Sequence, residues 1–195
     1  MRQLGSIVRL QIQRDPLKVG QKPRRRYDPV SILSVPALEL SPGGVIGLAS
    51  DGEQIVDVHN EHHRNSRNRD RTNSISMGFT FHYHTMRERL GPRVTDGVAG
   101  ETMLVQTDRM ISEDEVADGL AIVTASGETI HLVSVAVAEP CVEFTRYAMN
   151  LDHDTPSERC VTEALQFLRA GMRGFLAMYP GDPVQLLVGD RVMLP

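Results

Sequence analysis

Cys141 follows Pro140 at the point where an alternating apolar run gives out, in the stretch SVAVAEPCVEFTRYAM that spans Ser134 to Met149. A proline cannot donate to a strand ladder. Loops just past strand ends are where a rigid scaffold presents chemistry. A cysteine there suits a nucleophile, a soft metal ligand or a sulfur acceptor, all of which act as the thiolate. The alternative is packing, because free cysteine is among the most buried residue types. Glu143, Arg146 and Tyr147 follow closely. The second cysteine, Cys160, stands beside Val161 and Ala164 in a helical pattern and is expected on its apolar side as a packing residue. A redox pair with Cys141 would need the two Cα atoms within about 7 Å, which spacing alone does not decide.

The second concentration of chemistry is VHNEHHRNSRNRDRT, whose part from residue 61 to 73 has no apolar residue. His59, His62 and His63 with Glu61 are metal-ligand types. Their spacing is not that of H-E-x-x-H, and no matching second half is evident. Arg64, Arg67, Arg69 and Arg71 gather positive charge inside an acidic chain. Guanidinium groups suit bidentate phosphate contacts, and a solvated loop explains the same residues equally well. QKPRRRYDP carries another basic cluster, Lys22, Arg24, Arg25 and Arg26. Two such clusters entering from separate loops could frame one anionic ligand. His131 reads as a sheet residue, and His82 and His84 as surface or core. Neither a Ser-His-Asp arrangement nor a glycine-rich phosphate loop is visible.

The elements that would position these residues are mostly strands. Residues 5–13 alternate, as a strand with one wet face does. Residues 30–40 read as a strand whose Pro36 places it at an edge or bulge. A short strand is expected over 53–60. SISMGFTFHY reads as a strand passing into a helix near Phe79 or Thr80 and ending before Gly91-Pro92. Residues 101–107 form another strand, and Ser112 to Glu115 is a capping-box pattern. LAIVTA, SGE and TIHLVSVAVA make a β-hairpin. Thr155-Pro156-Ser157-Glu158 caps a helix bearing Val161, Ala164, Leu165 and Leu168, and Gly171 stops it. GFLAMY and VQLLVGDRVML close the chain as strands. The count, eight or nine strands with two or three helices and short turns, points to an antiparallel sheet or barrel.

Composition sets outer limits. The chain has 195 residues, 41% hydrophobic and 24% charged, enough for one domain with a real core. Its net charge of −4 confines any basic function to local patches. That charge and the few aromatics argue against nucleic acid as a partner. No stretch approaches a membrane span, and the N-terminus has no apolar leader core. Two cysteines do not make a disulfide framework. We expect a cytoplasmic protein in a reducing compartment, with no membrane partner.

Read in order, several segments resemble the MOSC domain, the family named for the C-terminal domain of molybdenum cofactor sulfurase. They are Pro140-Cys141, Gly171-Met172-Arg173-Gly174, Val188-Gly189-Asp190-Arg191-Val192, Gly100-Glu101 in GVAGETMLV, and the strand-then-helix SISMGFTFHYHTMRERLG. The resemblance is clearest over 45–195, and the expectation is one MOSC-like domain over 1–195. It departs from the family in two places. The family's His-Gly-Gly stretch is replaced by DVHNEHHRNSRNRDRTNSISM, where His59 or His63 holds the histidine's place, and Thr102 stands where an asparagine usually follows Gly-Glu.

The resemblance implies a mainly β, antiparallel barrel-like fold with two or three peripheral helices. It implies a molybdenum-pterin cofactor with Cys141 as metal ligand and catalytic residue. His59, Glu101, Arg146 and the arginines of either cluster (Arg24 and Arg25, or Arg64, Arg67, Arg69 and Arg71) would hold that cofactor. The activity would be reduction of N-hydroxylated compounds, with electrons from a partner protein because no electron-delivery domain is evident. Two other readings stand beside it: a sulfur carrier with persulfide on Cys141, fed by a sulfur-donor protein, and a non-catalytic binding module for a small-molecule or cofactor ligand. No lysine context suited to pyridoxal phosphate is visible, so that cofactor is not expected.

Overall fold

The computed structural model describes every residue except 67, 69 and 153–157. Its strands are β1 (Arg2–Gln13), β2 (Lys18–Val19), β3 (Arg26–Tyr27), β4 (Ile32–Val35), β5 (Ala37–Ser41), β6 (Gly44–Leu48), β7 (Gln54–Val56), β8 (Ile75–Phe79), β9 (Met103–Gln106), β10 (Leu120–Val123), β11 (Thr129–Val137), β12 (Phe175–Met178), β13 (Val184–Leu187) and β14 (Arg191–Leu194). The helices are α1 (Thr80–Leu90), α2 (Glu113–Val116), α3 (Val142–Ala148) and α4 (Glu158–Leu168).

The main sheet runs β14-β10-β11-β12-β8-β9-β1-β4 and closes through β14–β1 pairing, making a seven-stranded barrel with β4 appended. β1 is long enough to serve three partners in turn, pairing β14, then β9, then β4 along its length. The expectation of a mainly β barrel holds. It is mixed rather than wholly antiparallel, since β8 and β9 run parallel. The reason lies in the predicted strand-to-helix passage: parallel neighbours need a crossover, and α1 supplies it. Pro36 does mark a break. The segment expected as one strand splits there into β4, at the barrel edge, and β5, which belongs to a second sheet, β13-β5-β6-β7. The closing run VQLLVGDRVML splits likewise, into β13 and β14 in different sheets. The four α-helices among the described residues are one more than the largest number expected. The addition is α3, whose mix of aromatic and β-branched residues hides its Phe144–Ala148 buried face. The proposed cap of α4 lies outside the described residues.

Period-two alternation divides the apolar residues into two cores. Ile75, Met77, Phe79, Phe175 and Ala177 point into the barrel with Leu10, Ile12 and Val105. Residues between them face outward, and there Tyr27, Tyr83, Met86, Leu104, Phe144 and Leu168 form a second core under α1, α3 and α4. The candidate site lies at this outer layer.

Candidate functional site

A cavity of about 500 Å³ opens on the outer wall of the barrel. Gln13 at the end of β1, Ser76 on β8 and Leu176 on β12 form its base, while Lys18, Arg25 and Tyr27 reach over it from the β2–β3 hairpin. Glu101, Arg173 and Cys141 complete it from three further loops.

The loop before β9 is held carbonyl by carbonyl. Gln11 Nε2 donates to Gly97 O at 2.7 Å, Tyr27 Oη to Val98 O at 2.7 Å, Arg173 Nη2 to Ala99 O at 2.9 Å and Gln13 Nε2 to Gly100 O at 2.6 Å. Both glutamines are outward residues of β1, buried at 2% and 8% exposure, so their amides need partners and find them in this loop. Gly100 has φ +92, and a Cβ there would lie 2.6 Å from Gln13 Nε2. The loop's product is the placement of Glu101 at the cavity floor. Thr102, standing where the family favours asparagine, ties β9 to β8. Its Oγ1 donates to Ser76 O at 2.9 Å, and its N–H donates to Ser76 Oγ at 3.0 Å.

Arg173 belongs to a motif of the resemblance but was not expected as a site residue. It stands in the tight loop before β12, with its guanidinium 4.4 Å over the Phe144 ring. Its Nε is buried with no hydrogen-bond partner among the described residues, and so is Glu101 Oε1. His82 braces this loop from α1. Its Nε2 accepts the Ile111 N–H at 2.9 Å, so Nδ1 carries the proton and donates to Gly171 O at 3.1 Å. Burial lowers the His82 pKa and keeps the ring neutral for this task. The signal available in the sequence was an arginine flanked by Gly171 and Gly174, both of which adopt positive φ.

Cys141 is part-buried, and its backbone caps α3 without a side-chain bond. The helix that follows places Glu143 against the hairpin, where its carboxylate takes Arg25 Nε at 2.6 Å. Burial works against ionisation of Glu143, but its own backbone N–H and Arg25 outweigh it, so its pKa is lowered. His59 lines the cavity and is aimed by Asp57, which is fully buried. Asp57 Oδ1 lies 2.9 Å from His59 Nδ1, and Asp57 Oδ2 accepts the Gln13 N–H at 2.7 Å. That leaves His59 Nε2 for a ligand.

The remaining expected residues are elsewhere. Arg24 is exposed and does not line the cavity. Arg64 pairs with Asp15 at 3.1 Å, and Arg71 makes two 2.8 Å bonds to Glu61. Arg146 bonds the Asp152 carbonyl. Arg67 and Arg69 lie outside the described residues. His63 Nε2 lies 3.1 Å from Arg14 O, so of the two histidines only His59 lines the cavity. Among the described residues no three His, Cys, Asp or Glu side chains group to hold a metal ion. Cys160 corrects the expectation of packing: it is exposed. The buried stripe of α4 is Val161, Ala164 and Leu168. Cys160 falls at the flank of that stripe, in the first turn of α4. No described helix is long and apolar enough to cross a membrane.

The chain superposes on the YuaD protein from Bacillus subtilis with TM-score 0.61 at 14% identity, covering 98% of this chain and 96% of that one. YiiM from Escherichia coli matches with TM-score 0.50 at 14% identity, over 84% of this chain and 64% of that one. Both are MOSC-domain-like proteins. The fold is MOSC-like. A further structure, described as that of a hypothetical protein, matches with TM-score 0.54 at 12% identity, over 98% of this chain and 69% of that one. No family model and no curated protein matches the sequence. At these identities the likeness speaks for the fold alone.

Proposed function

We propose that the cavity binds a phosphate-bearing molybdenum-pterin cofactor, with Cys141 as the protein's ligand to the metal. The observation that carries this reading is convergence: the part-buried thiol of Cys141, the imidazole of His59 and the side chains of Lys18, Arg25 and Arg173 all line one cavity. Its volume lies within the range of about 300–1,000 Å³ usual for small-molecule sites. The donor set fits the group. A thiolate is a soft ligand suited to a transition metal. Lys18 and Arg173 supply the positive charge a phosphate needs, Arg25 lines the cavity as the partner of Glu143, and His59 Nε2 has hydrogen-bonding capacity to spare. When bound, the cofactor would supply the two-electron chemistry for reducing an N-hydroxylated compound, with electrons from a partner protein. The chain's own part is to hold, orient and shield. The staple of side chains on residues 97–100 fixes the floor, and the Arg25–Glu143 pair ties the hairpin to the helix that follows Cys141.

The test is molybdenum and pterin content after incubation with the cofactor, for wild type and Cys141→Ala. We expect metal near one equivalent in wild type and background in the variant, with thermal stability unchanged. Metal in neither protein would defeat this reading. A mass increase of one sulfur on Cys141 after exposure to a sulfur donor would then favour the sulfur-carrier reading, whose support is the partial exposure of the thiol.

A further inference from the structure

The cavity wall holds a histidine whose tautomer the fold decides. Asp57 is fully buried. Its Oδ2 accepts the Gln13 N–H at 2.7 Å, and its Oδ1 accepts the His59 N–H at 2.8 Å. Two short bonds from backbone donors, one to each oxygen, suit the carboxylate, which has acceptors only. Asp57 Oδ1 also lies 2.9 Å from His59 Nδ1, so in the neutral ring Nδ1 carries the proton and donates it there. The other ring nitrogen, Nε2, is then a bare lone pair. The His59 side chain is 40% exposed, and its Nε2 is neither buried nor partnered among the described residues. We propose that His59 is the proton-transfer residue of the cavity, exchanging a proton between Nε2 and the bound molecule, with Asp57 as its positioning residue. This rests on the reading of the cavity as a ligand site, and not on which cofactor fills it.

Two other histidines show what sets His59 apart. His63 Nδ1 accepts the Asn65 N–H at 3.1 Å, so its proton sits on Nε2 and is spent on Arg14 O, also at 3.1 Å. His82 has both ring nitrogens bonded to backbone groups. Of the three, His59 is the one that sets one nitrogen against a carboxylate and lines the cavity. Its support is stiff. The Val58 N–H donates to Gln13 O at 2.9 Å and the Asn60 N–H to Asp57 O at 2.9 Å, so the turn that carries the pair is tied to the end of β1 at the cavity base. The other chargeable groups that line the cavity are differently placed. Lys18, Arg25 and Arg173 have only donors to offer, and the Tyr27 hydroxyl is held by Val98 O. Glu101 is buried with one oxygen on the Tyr83 hydroxyl, Glu139 is exposed, and Cys141 is the thiol already assigned.

In the step itself an O–H, N–H or S–H bond of the bound molecule breaks, and its proton moves to the Nε2 lone pair. The electron pair stays on the bound molecule. The positive charge left on the ring faces the Asp57 carboxylate, an arrangement in which a buried carboxylate orients an imidazole and steadies its cation. The ring is part-exposed, so water takes the proton onward or supplies it for the reverse step. The ligand class follows: beside His59 the molecule carries a proton on a hydroxyl, a ring nitrogen or a thiol, and the hydroxyl of an N-hydroxylated compound qualifies. A molecule with only a carbonyl there would set lone pair against lone pair and be disfavoured.

Nitrogen NMR of isotope-labelled imidazole rings tests this directly, with the His59 signals assigned by their loss in His59→Gln. In ligand-free protein with neutral rings we expect His59 protonated on Nδ1 and bare on Nε2, and His63 in the opposite tautomer as an internal contrast. A neutral His59 with its proton on Nε2 overturns the proposal. Asp57→Asn separates positioning from mere support, because an amide cannot accept an N–H at both ends. The folded variant should lose the fixed tautomer and show the Nε2–H form. A folded variant that keeps the proton wholly on Nδ1 overturns the role of Asp57, and if the variant does not fold, the wild-type tautomer still decides. Diethylpyrocarbonate, which acylates bare ring nitrogens, reads the lone pair separately. Peptide mass mapping should show His59 acylated while His82 remains unmodified, and an unmodified His59 overturns the proposal. In protein loaded with the pterin cofactor and then given hydroxylamine as an N-hydroxylated probe, the Nε2 signal should shift while the Nδ1 signal stays. An unmoved Nε2 signal in loaded protein overturns the exchange with ligand. Failure to load counts against the cofactor reading alone, and the ligand-free tautomer and the acylation then decide.

Discussion

Two basic segments of similar composition have opposite fates in this fold. The β2–β3 hairpin delivers Lys18 and Arg25 to the cavity, whereas in the segment over 61–73 Arg64 and Arg71 face Asp15 and Glu61 at the surface. In sequence the second segment looks richer, with its histidines and more numerous arginines. What separates them is what each packs against. The hairpin is anchored by Tyr27, whose ring lies 5.2 Å from Phe144 and whose hydroxyl bonds Val98 O. Arg25, two residues before Tyr27, is thereby held at the cavity wall against Glu143. The segment over 61–73 has no apolar anchor of that kind, and its described arginines find the nearest carboxylates. A cluster of charge thus becomes a site only where a buried residue beside it fixes its direction.

The largest expected effect tests the loop that carries the cavity's third cation. Gly174 has φ +91, and a Cβ there would fall 2.0 Å from Met77 O. Gly174→Ala combines left-handed strain with a clash against strand backbone, and should cost about 2–4 kcal/mol in denaturant unfolding. A cost below about 1 kcal/mol would mean that the loop is not held against β8 as described. Next is the direct contrast between cavity and surface arginines. Arg173→Met keeps much of the packing on Phe144 but loses the charge. Hydrogen bonds to charged groups are worth about 1.5–3 kcal/mol, so cofactor affinity should fall roughly 10- to 100-fold. Replacing Arg64 and Arg71 together by alanine should leave affinity within about twofold. The reverse ranking, measured by equilibrium retention of the pterin, would reassign the phosphate contact to the 61–73 segment.

Much of the fold could be read before the structure. The junction at Phe79–Thr80, the capping box at Ser112–Glu115 and the β10–β11 hairpin are local in origin, written in periodicity and cap chemistry over a few residues. What could not be read is non-local. Nothing in the sequence tells that the outward face of β1 donates Gln11 and Gln13 to a loop more than 80 residues away, or that this loop lays Glu101 beside Arg173. Cys141 and Glu101 drew notice as single residues in a family pattern, and Arg173 was visible within a motif but carried no marker of a role. The parallel β8–β9 pair could have been inferred from the helix between them. The closure of β14 onto β1, which joins the two ends of the chain, could not.

The smallest expected effect concerns the other pair the sequence invites one to compare, the two cysteines. Cys141 stands at the cavity where the barrel wall meets α3, and Cys160 stands on the exposed flank of α4. The helix is secured by Val161, Ala164 and Leu168, so truncating an exposed side chain beside that stripe removes little packing. Cys160→Ala should change stability by no more than about 0.5 kcal/mol and leave cofactor content at the wild-type level. A larger loss of stability would show that contacts of the Cys160 side chain help to hold the first turn of α4. A loss of cofactor at unchanged stability would cut deeper, since it would transfer to Cys160 the chemistry assigned to Cys141 and separate thiol from cavity.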